Sequence, residues 1–257
     1  MKVLAIDSSG LVATVAVAED DNMLAEYTVN YKKTHSQTLL PMLDEIAKMT
    51  DLDLNTIDGI AVAAGPGSFT GLRIGSATAK GLGLALGKPL IAVPTVDALA
   101  YNLYGSNKVI CPMMDARRSQ VYTGLYTFTL GEDEEQFCIL KPQSAMAVTD
   151  IIREINGLGK ETVFLGDGVP VYRDILKKET KVPFTFAPAH VNKQRAGALA
   201  VLAMEYMKAG KTQTAVEHQP DYLRLSQAER ERAEREQTEQ VQTERVQKER
   251  ESKNGNS

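Results

Sequence analysis

The chain has 257 residues, 43% of them hydrophobic, enough for one large or two modest domains with real cores, which excludes a disordered or fibrous protein. Its formal net charge of −4 argues against a self-contained nucleic-acid-binding module, so contact with RNA is expected only with a partner's help. Cys111 and Cys138 lack metal-ligand spacing and sit in apolar strand-like runs, as buried free thiols in a reducing compartment would; Asp7 interrupts the first apolar residues too early for a signal peptide, no run reaches membrane-spanning length, and the expected location is cytoplasmic.

In chain order, the apolar pattern predicts strands over residues 2–8, 12–19 and 24–30, then an amphipathic helix over 37–49. That helix carries Leu39, Leu40, Leu43, Ile46 and Ala47 on one broad face, flanked by Met42 and Met49, and Pro41 predicts a local kink. A strand over 59–64 (G-I-A-V-A-A) stops at Gly65-Pro66-Gly67 and a glycine-rich helix follows. From residue 108 the pattern begins again: strands over 109–115, 120–130 and 137–140, a helix over 148–155, a strand over 162–165, and helices over 172–178 and 194–208. The chain therefore reads as a duplicated β-β-β-α-β-α plan: an N-terminal lobe over 1–104, a C-terminal lobe over 105–225 whose last helix can cross back to the first lobe, and a charged tail over 226–257.

Within the glycine-rich helix, Gly71, Gly75, Ala79, Gly83 and Gly87 recur four apart and form a stripe almost free of side chains. Each glycine costs roughly 1 kcal/mol of helix propensity relative to alanine, so something must approach the stripe closely. That something is either the chain's own sheet or the helix of another subunit. The strand-turn-helix junction aims N–H groups and a dipole at one point, as phosphate sites do, yet G-x-x-x-x-G-K-[ST] is absent and a plain turn with Ser68 or Thr70 as N-cap stands as the alternative. Arg73 opposes the dipole from the first turn and is expected to pair with an acid or an anion.

Both lobes open with a strand ending in an aspartate, at Asp7-Ser8-Ser9-Gly10 and at Asp115-Ala116-Arg117-Arg118. Arg117 and Arg118 either touch RNA or a nucleotide, or are simply solvated. His35, His190 and His218 are the only histidines and none pairs at i,i+4, so a two-histidine metal site is missing. Thr34 and Gln37 are spaced as a capping box around His35, which favours capping over catalysis. No catalytic nucleophile and no metal ligand set is assigned.

Taken in order, the motifs L-A-I-D-S-S-G (4–10), T-H-S-Q-T-L-L-P-M-L (34–43), G-P-G-S-F-T-G-L-R-I-G (65–75), D-A-R-R-S-Q-V-Y (115–122), L-G-D-G (165–168) and Y-L-R (222–224) resemble the TsaB (YeaZ) family over about residues 1–225. The resemblance implies an α/β, two-lobed actin-like (ribonuclease H-like) fold. It implies a bacterial accessory subunit of the system that installs N6-threonylcarbamoyladenosine at position 37 of tRNAs reading codons that begin with A, a scaffold and activator with no catalysis of its own. The implied partners are a TsaD-like catalytic paralogue, a TsaE-like ATPase and, for the chain alone, a second copy; tRNA is met only through the complex and no membrane is involved. It further implies that the two helices of the first lobe form the partner interface, with Leu39, Leu43, Ile46, Gly71, Gly75, Ala79 and Gly83 as its residues. Asp7, Ser8, Ser9, Asp115, Gly166, Asp167 and Gly168 mark a vestigial nucleotide site: no cofactor is expected to bind tightly, and ATP or ADP with magnesium only within the complex. An independent actin-fold ATP-dependent enzyme and a glycoprotein peptidase-like protein are the alternatives. The tail departs from the family; Arg230 with Glu234, Glu231 with Arg235 and Arg232 with Glu236 stand at i,i+4, consistent with a solvated, partly helical or disordered extension.

Overall fold

A computed structural model of the chain describes residues 1–31, 34–131 and 135–223; the reading of the tail lies outside them. The first lobe runs β1 (Lys2–Asp7), β2 (Ala13–Glu19), β3 (Asn22–Val29), α1 (His35–Met49), β4 (Gly59–Gly65), α2 (Phe69–Leu86), β5 (Leu90–Pro94) and α3 (Thr95–Tyr101). The second runs β6 (Val109–Asp115), β7 (Gln120–Leu130), β8 (Glu135–Ala147), α4 (Val148–Leu158), β9 (Thr162–Leu165), α5 (Gly168–Glu179) and β10 (Phe184–Phe186), followed by α6 (Ala196–Lys208). Each lobe holds a five-stranded sheet, ordered β3-β2-β1-β4-β5 and β8-β7-β6-β9-β10. In both, the first three strands pair antiparallel and the fourth and fifth run parallel to the first. The duplication expected from the sequence is thus present, strand for strand.

Alternation along β1 sorts the core into layers. Leu4 and Ile6, with Val15 and Val17 of β2, pack beneath α1 and α2 through Leu39, Met42, Leu43, Ile46 and Ala79. Val3 and Ala5, with Ala16 and Ala18, face the other way onto α3 and α6, which are also met by Ile110, Met114, Tyr126 and Phe128 of the second sheet. The far side of that sheet buries Cys111, Met113, Leu125 and Phe164 against α4 and α5. The order is therefore α1/α2, sheet, α3/α6, sheet, α4/α5, and α6 packs on β1 and β2 of the first lobe. Two polar ties fix the middle layer. Asp97 of α3 accepts hydrogen bonds from Tyr126 of β7 (2.7 Å) and Tyr206 of α6 (3.4 Å). Glu26 of β3 accepts from Nε and Nη2 of Arg195, just before α6, and from the Gly197 N–H at 3.2 Å.

Cys111 is buried, and burial pushes its thiol up to about 12, while Cys138 is half-buried; both are free. No helix among the described residues is long and apolar enough to cross a membrane.

Candidate functional site

The two aspartate turns are built alike. In the first lobe, Asp7 accepts the Ser9 N–H at 2.8 Å; in the second, Asp115 accepts the Arg117 N–H at 2.9 Å. In each, the glycine turn after the fourth strand packs on the aspartate turn. Ser68 N–H donates to the Ser9 carbonyl at 2.7 Å, and Ser8 Oγ donates to the Gly71 carbonyl at 2.9 Å. In the second lobe, the Asp115 N–H donates to Asp167 at 3.1 Å, and Tyr172 donates its hydroxyl to Asp115 at 2.9 Å. Gly166, at φ 105°, lies against the Met113 carbonyl, where a side chain has no room. Asp7 and Asp167 both titrate above the ordinary carboxylate value, chiefly because burial disfavours the charged form. The seven residues read as a nucleotide site do come together as two turns, but the first is closed onto the glycine loop by the Ser9–Ser68 bond.

Three buried polar atoms without a hydrogen-bond partner surround this closed turn: Ser9 Oγ, His35 Nδ1 and Gln194 Nε2, each sealed from solvent. Gln194 lies flat on Gly10, its Nε2 2.9 Å from where a Cβ would stand. His35 corrects the capping-box expectation. Thr34 is the N-cap of α1 but its side chain caps nothing, and His35 Nε2 instead meets the Gly10 carbonyl at 2.8 Å, tying α1 to the turn. Since a carbonyl only accepts, Nε2 is the donor in that bond. Among the described residues, no three His, Cys, Asp or Glu side chains gather as metal ligands would.

The interface residues need correction too. Leu39, Leu43, Ile46, Gly71, Gly75, Ala79 and Gly83 are all buried in the chain itself. A Cβ on Gly71 would run into the Ser8 carbonyl and one on Gly75 would stand 2.5 Å from Ser8 Oγ; Gly83 meets Leu90 and Ala215. The stripe is the close contact between α2 and its own sheet. Gly87 belongs to the cap, at φ 63°. The exposed side of α2 carries a second small-residue row, Ala77, Gly81 and Ala85, beside Leu84, and the neighbouring α1 exposes Leu40 and Met49. A Cβ at Gly81 would meet nothing within 4 Å.

The family model described as "TsaD: tRNA N6-adenosine threonylcarbamoyltransferase" matches residues 22–232. The chain is 33% identical to the tRNA threonylcarbamoyladenosine biosynthesis protein TsaB of Bacillus subtilis, over 89% of this chain and 96% of that one. It is 31% identical to the TsaB of Escherichia coli, over 87% of this chain and 95% of that one. The chain belongs to the TsaB family. Its fold agrees with that of YeaZ from Pseudomonas aeruginosa, at 25% identity and a TM-score of 0.70, over 86% of this chain and all of that one (100%). The two-lobed actin-like architecture is thereby shown.

Two features of this TsaB-family chain escaped the sequence reading. Arg73, expected to meet an acid or an anion, reaches an aromatic pair. It donates to the Tyr222 hydroxyl at 3.2 Å and lies beside the stacked Phe69 and Tyr222 rings, whose centroids are 4.5 Å apart. The partner comes from a segment 149 residues further along, which no local pattern signals. The second is backbone conformation: Arg117, Arg118 and Ser119 stand consecutively at φ 61°, 55° and 57°, at roughly 1–2 kcal/mol per residue for side chains other than glycine. A pocket of about 410 Å³ beside β3, walled by Met23, Tyr101, Tyr104 and Val201 with the Glu26–Arg195 pair, includes none of the turn residues.

Proposed function

We propose that this chain is the accessory subunit of the system that transfers a threonylcarbamoyl group to N6 of adenosine 37 in tRNAs reading A-starting codons, performing no catalysis itself. It acts as scaffold and activator of a TsaD-like catalytic paralogue. The observation that carries the reading is the first-lobe turn, whose Ser9 carbonyl accepts the Ser68 N–H and so packs against the glycine loop. The aspartates of both turns accept backbone N–H groups through Oδ1. On this reading the chain holds no nucleotide with magnesium tightly in its own turns. ATP or ADP then binds only in the complex, where a TsaE-like ATPase also joins, and tRNA is met there.

The surface offered to the paralogue, or to a second copy of the chain alone, is the exposed side of α1 and α2. The small row Ala77, Gly81 and Ala85 lets another helix approach closely, and Leu84 supplies apolar area beside it for a four-helix contact. Sedimentation of the chain mixed with the TsaD-like paralogue tests this reading. The wild-type mixture is expected to form a heavier species; Gly81→Leu, folded by circular dichroism, is expected not to. Wild-type assembly by Gly81→Leu would overturn the interface, and ATP turnover by the chain alone would overturn the accessory role.

A further inference from the structure

We propose that Arg117 and Arg118, at the tip of the β6–β7 hairpin, form a phosphate-binding turn that meets the RNA backbone in the assembled complex; this rests on the accessory-subunit reading above. Among the described residues, positive φ outside glycine occurs at Asp20 and Asp51 and at the consecutive Arg117, Arg118 and Ser119. Aspartate tolerates that region because its short side chain bonds locally, whereas arginine has no such compensation. The strained tip is nevertheless held from behind. Asp115 accepts the Arg117 N–H (2.9 Å), Gln120 N–H returns to the Arg117 carbonyl (3.1 Å), and Val148 N–H reaches the Ser119 carbonyl (3.1 Å). Tyr172 in turn fixes Asp115. The fold thus presents these two side chains on a set backbone, with no loop ordering left for the moment of binding.

Their guanidinium groups are the ones left over. Arg73 has Tyr222, Arg153 has Asp150, Arg173 lies over Phe186 and Arg195 has Glu26, while Arg117 and Arg118 are exposed and, among the described residues, unpaired. Arginine forks fit phosphate and carboxylate alike. Ser119 beside them is also exposed and the tip carries no apolar side chain, so the desolvated centre of a protein interface is missing, whereas a nucleic-acid backbone needs only the charges. Two adjacent cations on an otherwise acidic chain suit neighbouring phosphodiesters.

The test uses the complex with the catalytic paralogue and Arg117→Gly/Arg118→Gly, chosen because glycine is at ease at these φ values and the chain should be no less stable than wild type. Loss of two phosphate contacts lowers the slope of log affinity for tRNA against log salt by about 1.4 to 1.8. Between 50 and 200 mM salt the wild-type affinity is then expected to fall about seven- to twelvefold more than the variant's. Arg117→Lys/Arg118→Lys should keep most of the slope. An unchanged slope refutes this inference alone, and a wild-type complex that binds no tRNA refutes it together with the accessory role. Failure of the glycine variant to assemble would place the arginines on the partner's carboxylates. Loss of nucleotide binding with tRNA affinity unchanged would make the phosphate a nucleotide's. Either result overturns the RNA assignment.

Discussion

Placing the same leucine on the two faces of α2, at Gly75 and at Gly81, should move stability in opposite directions. At Gly75, the first added carbon stands 2.5 Å from Ser8 Oγ and 3.9 Å from Val62, inside the contact between α2 and the sheet. Overpacking of this kind typically costs about 1–3 kcal/mol. Displacing Ser8 Oγ from the Gly71 carbonyl loses a further ~1 kcal/mol, against ~0.8 kcal/mol of helix propensity gained on removing a glycine. The net loss is about 1–3 kcal/mol, or roughly 2–12 °C in Tm for a domain of this size. At Gly81 nothing lies within 4 Å, so the propensity gain stands alone and Tm should rise by about 2–3 °C. Urea unfolding of both variants followed by circular dichroism, with the m-value compared, provides the measurement. Equal shifts, or a milder effect at Gly75 than at Gly81, would refute the assignment of the inner and outer faces.

Burial pushes the Glu26 carboxyl up, but hydrogen bonds from Arg195 and Gly197 and the guanidinium charge outweigh it and hold Glu26 below its ordinary 4.5. Its contribution is therefore present above that pH and lost as pH falls from 4.5 through the lower folded value, so Glu26→Gln should flatten the acid limb of the stability curve; parallel wild-type and variant curves would contradict this. Asp97→Ala leaves the buried Tyr126 hydroxyl without its acceptor and should cost about 1–3 kcal/mol in urea unfolding; a loss within error would show that the tie between the sheets is dispensable. Removing residues 226–257, whose composition offers almost nothing to bury, should leave Tm unchanged, and a drop of several degrees would show the segment contributes to the folded body.

Much of the fold was legible because strands such as 109–115 are continuous apolar runs ending at a charged residue, and the repeated order of strands and helices revealed the duplication. What escaped lacked period. α3 is buried at every position from Thr95 to Tyr101, so no polar face marks it as a helix, and β5 is five residues that end in Pro94. β8 is legible only at 137–140, since register shifts against β7 break its alternation. The site was legible as motifs and not as contacts. Gly71, Gly75, Ala79 and Gly83 share their spacing with Ala77, Gly81 and Ala85, and spacing alone does not say which row meets Ser8. Arg73 finds its aromatic partner through the chain's return at Tyr222, a long-range event.

The accessory role is tested most directly by assaying threonylcarbamoyl transfer to tRNA with the chain alone, the TsaD-like paralogue alone, and the mixture with its ATPase partner. The account predicts no transfer and no ATP turnover by the chain alone, transfer by the mixture, and loss of that transfer when wild type is replaced by Gly81→Leu. Transfer or ATP turnover by the isolated chain, or full activity of the mixture without it, would contradict the account.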